Sequence, residues 1–158
     1  MSDIKVEMRE LEPMVVVSAL GFGTEPELEA WDLIFEFAKK NGIDVMSGEH
    51  RFFGFNNPNP SPGSPNYGYE QWMTIDPGME VEAPLTRKEI PAGRFAVTHF
   101  KGLQHITDTW RSFVGWFEES GLQPGPGCEQ CYEELLTLGP VPMEEWEFDL
   151  YLPVAQGQ

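Results

Sequence analysis

The stretch 130–136 reads Gln-Cys-Tyr-Glu-Glu-Leu-Leu and holds the residues whose types and spacing best suit chemistry. Pro124-Gly125-Pro126-Gly127 precedes it and Gly139-Pro140 follows it, so it is read as a short strand. A strand alternates faces, which puts Cys131, Glu133 and Leu135 on one side and Tyr132, Glu134 and Leu136 on the other. Two adjacent glutamates cannot both face water if the sheet has one covered side. One must point inward, and Glu133 is read as the one that enters a ligand cleft. A buried carboxylate is costly unless paired or hydrogen-bonded, and a cationic guest offsets that cost. Burial raises a carboxyl pKa, and a bound cation lowers it again. Aromatic walls would add stacking and cation–π attraction of about 0.5–2 kcal/mol each. Trp72 and Tyr151 are the expected walls, with Tyr69 and Trp110 as further candidates. The same parts could do catalysis, with Glu133 as general base on water and Tyr151 donating a proton or positioning the substrate.

The elements that position these residues follow from periodicity. Residues 6–20 read as one long strand, with Val15-Val16-Val17 as a β-branched run and Pro13 marking an edge or a bulge. Thr24 and Glu27 have capping-box spacing, with Pro26 in the first turn of a helix reaching about residue 41. Trp31, Ile34, Phe35 and Ala38 form its apolar stripe, and Gly42 occupies the left-handed position after it. Strands are expected at 51–56 and 67–76, separated by a proline-rich loop at 57–66. Residues 88–101 read as a strand and 104–120 as a helix with Ile106, Trp110, Phe113, Val114 and Phe117 on one face. Strands at 129–136 and 145–154 finish the chain.

The two halves match at a shift of 79, as in Trp31 and Trp110 (110 − 31 = 79), Gly23 and Gly102, Gly42 and Gly121, and Phe53 and Tyr132. Near the end the match is read as slipping by two, pairing Tyr69 with Trp146, Ile75 with Leu152 and Trp72 with Asp149. The chain is therefore read as one domain, residues 1–158, built from two β-α-β-β copies at about 3–80 and 85–155. The expected fold is α+β: an antiparallel sheet with two helices, pseudo-twofold symmetry and a cleft between the repeats. Gly54 of the first copy stands where the second has Glu133, which suggests a task present in only one copy.

Composition narrows the function classes. Acidic residues number 26 against 10 basic, a net charge of −16, which repels phosphate backbones and anionic lipid and attracts cations. Direct nucleic-acid or membrane-surface binding is therefore not expected. No run approaches the roughly 18 apolar residues of a membrane span, the N-terminus does not read as a signal peptide, and two cysteines suggest no disulfide framework. A cytoplasmic protein is expected. Cys128 and Cys131 form a lone C-x-x-C without the second ligand pair of a structural zinc site. His50, His99 and His105 are scattered, and neither G-x-S-x-G nor a P-loop occurs. No metal or cofactor is expected.

Taken in order, Ile90-Pro91-Ala92-Gly93-Arg94-Phe95-Ala96-Val97-Thr98-His99-Phe100-Lys101-Gly102, then the helix ending near Gly121, Tyr132-Glu133, and Asp149-Leu150-Tyr151-Leu152-Pro153-Val154 resemble the GyrI-like family. This effector-binding domain also occurs behind DNA-binding segments in AraC-type and MerR-type regulators. Phe55-Asn56-Asn57-Pro58 resembles the family's aromatic-Asp-Asn-Pro turn, with Asn in place of Asp. The resemblance spans nearly the whole chain and implies a freestanding member. It implies a pocket glutamate at Glu133 and a pocket tyrosine at Tyr151, while the family's second aromatic is here Leu135. It further implies binding of cationic, lipophilic aromatic molecules of the multidrug type, with a role in bacterial detoxification. Two alternatives follow from the same resemblance. One is a hydrolase that opens reactive cyclopropane-type toxins; the other is an acidic protein that docks on a partner such as DNA gyrase.

Overall fold

The computed structural model describes residues 4–56, 63–125 and 131–155. Its elements are β1 (Glu7–Leu11), β2 (Met14–Gly23), α1 (Pro26–Lys40), β3 (Phe52–Asn56), β4 (Tyr67–Thr74), β5 (Thr86–Ile90), β6 (Gly93–Lys101), α2 (Ile106–Ser120), β7 (Tyr132–Leu135) and β8 (Glu147–Val154). The fold is α+β, with antiparallel strands and the same element order in both halves, as expected. Most of the proline-rich loop, and Cys128 of the C-x-x-C, lie outside the described residues.

Both long opening strands are broken where a single strand was expected. Pro13 follows β1 and Pro91 follows β5, and proline offers no N–H to continue a ladder. At these breaks the chain changes compact unit. One unit takes in Met1–Glu12 and Ala92–Gln158 over their described residues; the other is Pro13–Pro91. We call them the carboxyl-terminal and amino-terminal units. The first has strand order β1-β6-β8-β7 and the second β3-β4-β2-β5. Each unit thus borrows its edge strand from the other sequence copy: β1 pairs with β6, and β5 with β2.

Strand register corrects the repeat alignment. Phe53 faces Trp72 across β3 and β4, and Tyr132 faces Tyr151 across β7 and β8. The differences 132 − 53 and 151 − 72 are both 79. The expected slip by two is therefore absent, and the counterpart of Trp72 is Tyr151, not Asp149.

The helices show what amphipathicity did and did not reveal. In α1 the buried residues are Pro26, Ala30, Ile34, Phe37 and Ala38; Phe35 of the expected stripe is exposed, and Trp31 stacks on it. Pro26 does start the helix, but the N-cap is Glu25 and no side-chain cap forms, so the Thr24–Glu27 box is not made. Glu27 instead accepts hydrogen bonds from the Tyr67 hydroxyl at 2.7 and 2.8 Å. In α2, Phe113 is fully buried among Ala96, Phe100, Phe148, Leu150 and Leu152, a placement worth about 1.5–3 kcal/mol. Ile106, Trp110 and Phe117 pack around that core, whereas Val114 is exposed. Gly42 (φ 68°) and Gly121 (φ 81°) end the two helices in the left-handed region, as expected.

Candidate functional site

The two glutamates of β7 part company as strand alternation requires, but the deeper one is Glu134, which is 4% exposed. Glu133 is half-buried on the side that packs against α2, where the Trp110 indole N–H donates to its Oε2 at 2.7 Å. Cys131 and Leu135, on that same face, join the cluster around Phe113. Glu134 lies on the other face. Directly opposed residues of an antiparallel pair share a face, so Glu134 lies beside Asp149, and Tyr132 beside Tyr151.

On that helix-free face the carboxyl-terminal unit assembles a polar chain. The fully buried Tyr151 donates its hydroxyl proton to Glu134 Oε1 at 2.6 Å and accepts a hydrogen bond from Arg9 Nη1 at 2.8 Å. The same Arg9 nitrogen lies 2.9 Å from Asp149 Oδ2, and its other terminal nitrogen contacts Glu7. Burial by itself would lower the pKa of the Arg9 guanidinium. Its hydrogen bonds to Asp149 and Glu7, with the field and hydroxyl of Tyr151, outweigh that and hold it above the ordinary arginine value. His99 lies 2.9 Å from Asp149 Oδ1 through Nδ1 and 3.0 Å from Glu147 Oε1 through Nε2. Phe95 packs edge-on to Tyr151 with ring centres 5.6 Å apart.

The amino-terminal unit carries a counterpart. Glu70 Oε2 receives the Ser18 hydroxyl at 2.7 Å, the Trp72 indole N–H at 2.5 Å and the Lys88 ammonium at 2.6 Å. Phe55 meets Trp72 edge-on at 5.1 Å. With the 79-residue shift, Lys88 corresponds to Arg9, Glu70 to Asp149, and Trp72 to Tyr151. Tyr69 lies elsewhere: it faces Gly21 across β2 and β4, and a Cβ built on Gly54 would fall 2.1 Å from its hydroxyl. Gly54 is thus small because the Tyr69 ring needs the space that the Glu133 side chain takes in the other copy. Packing of Tyr69 thus accounts for the glycine of the first copy.

Of the residues singled out from the sequence, the structure joins Glu133 to Trp110 and surrounds Tyr151 and Trp72 each with polar partners. It does not join Glu133 to Tyr151, which lie on opposite faces of β7 and β8. The residues missed are Glu134, Asp149, Arg9, Glu70 and Lys88. A constant shift of 79 aligns Arg9 with Lys88 and Glu70 with Asp149, a base and an acid kept in both copies, and the assumed slip concealed that signal. Among the described residues no group of three or more His, Cys, Asp or Glu side chains could hold a metal ion, and no helix is long and apolar enough to cross a membrane.

A family model for integron-associated effector binding protein matches residues 7–154. No curated protein sequence matches the chain. Among solved structures, the EcmrR C-terminal domain superposes with a TM-score of 0.77 at 14% identity, covering 97% of this chain and 98% of that one. EcmrR in a DNA complex gives the same TM-score and identity over 96% of this chain, which spans 57% of that longer protein. A hydrolase from Listeria innocua follows at TM-score 0.64 and 12% identity, covering 96% and 92%. SAV2435 bound to tetraphenylphosphonium follows at 0.55 and 9%, covering 97% and 95%. At such identities these likenesses show the fold. The effector-binding resemblance drawn from the sequence is borne out by the family match.

Proposed function

The chain belongs to the Cass2 family of integron-associated effector binding proteins, and from that premise we propose that it binds cationic, lipophilic aromatic small molecules through the carboxylates of its carboxyl-terminal unit. The reading takes the whole chain as one binding domain. The observation that carries it is the buried Glu134 carboxylate in contact with the Tyr151 hydroxyl at 2.6 Å, with Tyr132 and Phe95 as aromatic neighbours of Tyr151. A carboxylate held among rings suits a delocalised cation: the rings supply cation–π attraction, and the acid supplies charge where water is scarce. SAV2435, of the same fold, is seen bound to one such cation, tetraphenylphosphonium. Glu133, joined to Trp110, is the competing centre on the opposite face.

Calorimetric titration with tetraphenylphosphonium tests the reading. Glu134→Gln keeps the shape and removes the charge, and is expected to weaken binding at least about tenfold, a loss of about 1.4 kcal/mol. If Glu133→Gln shows that loss and Glu134→Gln does not, the centre lies on the helix side. If neither changes the affinity, the carboxylate reading is wrong.

One observation favours a second reading. Tyr151 and Glu134 already share a short hydrogen bond, so a proton donor and a proton acceptor lie at one point. With an electrophilic cyclopropane bound there, Glu134 would take a proton from water as the water oxygen bonds to ring carbon. The ring C–C bond would break and its electron pair would pass into the carbonyl conjugated with the ring; Tyr151 would protonate that oxygen and recover its proton from the Glu134 carboxyl. Chromatography after incubation with a cyclopropane-bearing alkylator would show a ring-opened product formed by the wild type and not by Glu134→Gln. No product beyond the buffer rate would discard hydrolysis and leave binding untouched.

A further inference from the structure

The amino-terminal unit holds a buried carboxylate whose cation comes from its own chain. Glu70 is almost wholly buried, and one of its oxygens faces Ser18, the Trp72 indole and the Lys88 ammonium. Lys88 differs from its counterpart Arg9 in how it is held. The Arg9 guanidinium is fastened to Asp149, Tyr151 and Glu7 together, as its planar fork of donors allows. Lys88 places a point charge on the end of a flexible stem, reaching in from the edge strand β5, and its side chain is 39% exposed. It can swing outward without unfolding a strand.

The second observation lies beside it. Leu20 is directly opposite Glu70 across β2 and β4, and Phe22 is the next residue of β2 on that face. Both are large apolar side chains more than half exposed, at 54% and 63%. Phe55, opposite Glu70 on β3, completes the apolar surroundings. A buried acid next to an exposed apolar strip is the shape of a site for an amphipathic cation, whose head would meet the acid while its body covers the strip.

We propose that Glu70, Trp72 and Ser18 form a second cation-receiving site, closed in the free protein by Lys88 and opened when a lipophilic organic ammonium displaces it, with Leu20 and Phe22 taking the apolar body. This extends the proposed binding function to the other unit but fails separately from it, because the two rest on different carboxylates. Lys88 acts as a tethered competitor: any external cation must outbid an ammonium held at high local concentration. Removing that competitor should therefore raise affinity at this site, whereas losing a merely structural ion pair would only weaken the protein.

The probe is dansylcadaverine, a naphthalene carrying a primary ammonium, followed by its fluorescence. Lys88→Met is expected to bind it at least about tenfold more tightly than wild type. Leu20→Ser with Phe22→Ser should abolish that gain, Glu134→Gln should leave it intact, and a neutral N-acetylated probe should not show it. No gain in Lys88→Met, or a gain that survives loss of Leu20 and Phe22, overturns the proposal. A measurement on the wild type covers the case in which Lys88→Met does not fold. A saturating naphthylmethyl-trimethylammonium ion, which has no N–H to consume the reagent, should speed acetylation of Lys88 by an N-hydroxysuccinimide ester, read by peptide mass spectrometry, because the lysine ammonium is released from Glu70. Unchanged or slowed acetylation also overturns it.

Discussion

The Tyr151 hydroxyl sits between a guanidinium and a carboxylate, donating to Glu134 and accepting from Arg9. Both contacts involve charged partners, so the hydroxyl matters more than an exposed phenol would. Tyr151→Phe keeps the ring in its place against Phe95 and removes only the oxygen. It withdraws one donor from Glu134 and one acceptor from Arg9 in a buried setting, and should cost about 1–3 kcal/mol of stability, read from urea unfolding. A variant as stable as wild type would mean that Glu134 and Arg9 satisfy themselves without it. Arg9 itself stays charged at physiological pH, since its partners raise a pKa that already lies above it. On the arginine side its stabilising contact is therefore present at neutral pH and is lost as pH rises through that raised value.

At the level of elements, pairing register governs which side chains meet. Glu133 and Tyr151 look like partners in a linear reading, yet β7 and β8 pair so that Glu133 opposes Leu150 and Tyr132 opposes Tyr151. An odd step along a strand changes face, and the expected pair is separated by the sheet itself. The same logic explains Gly54. Its strand lies close under Tyr69, and a methyl group there would strike the phenol oxygen and ring. Gly54→Ala should cost about 1–3 kcal/mol through overpacking, seen as a lowered unfolding midpoint in urea. If the variant is as stable as wild type, the Tyr69 ring moves aside freely and the packing account of that glycine fails. The borrowed edge strands β1 and β5 carry Arg9 and Lys88, so strand exchange is what brings each base to its acid.

For the molecule as a whole, net charge sets the first encounter with a ligand. An excess of 16 acidic groups produces a field that gathers cations over a range set by ionic strength. Stopped-flow association with tetraphenylphosphonium should slow as sodium chloride rises from about 20 to 500 mM, where the screening length falls from about 20 Å to a few ångströms. Dissociation should change much less, because contacts with a buried carboxylate are poorly screened. An association rate indifferent to salt would mean that the global field has no part in recognition. The family match spans residues 7–154, almost the entire chain.

The amino-acid sequence by itself determined the α+β class, the doubled element order, both helices with their glycine ends, and the effector-binding resemblance. These are local or periodic features, set by residue spacing, proline and glycine. It also drew attention to residues 133, 151, 72 and 110, because large rings and acids in strands need partners. Only the tertiary structure decided who those partners are. It chose Glu134 over Glu133 as the deeply buried acid, turned Trp72 into the counterpart of Tyr151, and brought in Arg9 and Lys88 from borrowed strands. The physical reason is that hydrogen bonds between side chains depend on register and strand exchange, which shift by single residues without altering hydrophobic periodicity. The identity of a contact is therefore written in pairing between distant segments, such as Arg9 with Asp149, rather than in any one stretch.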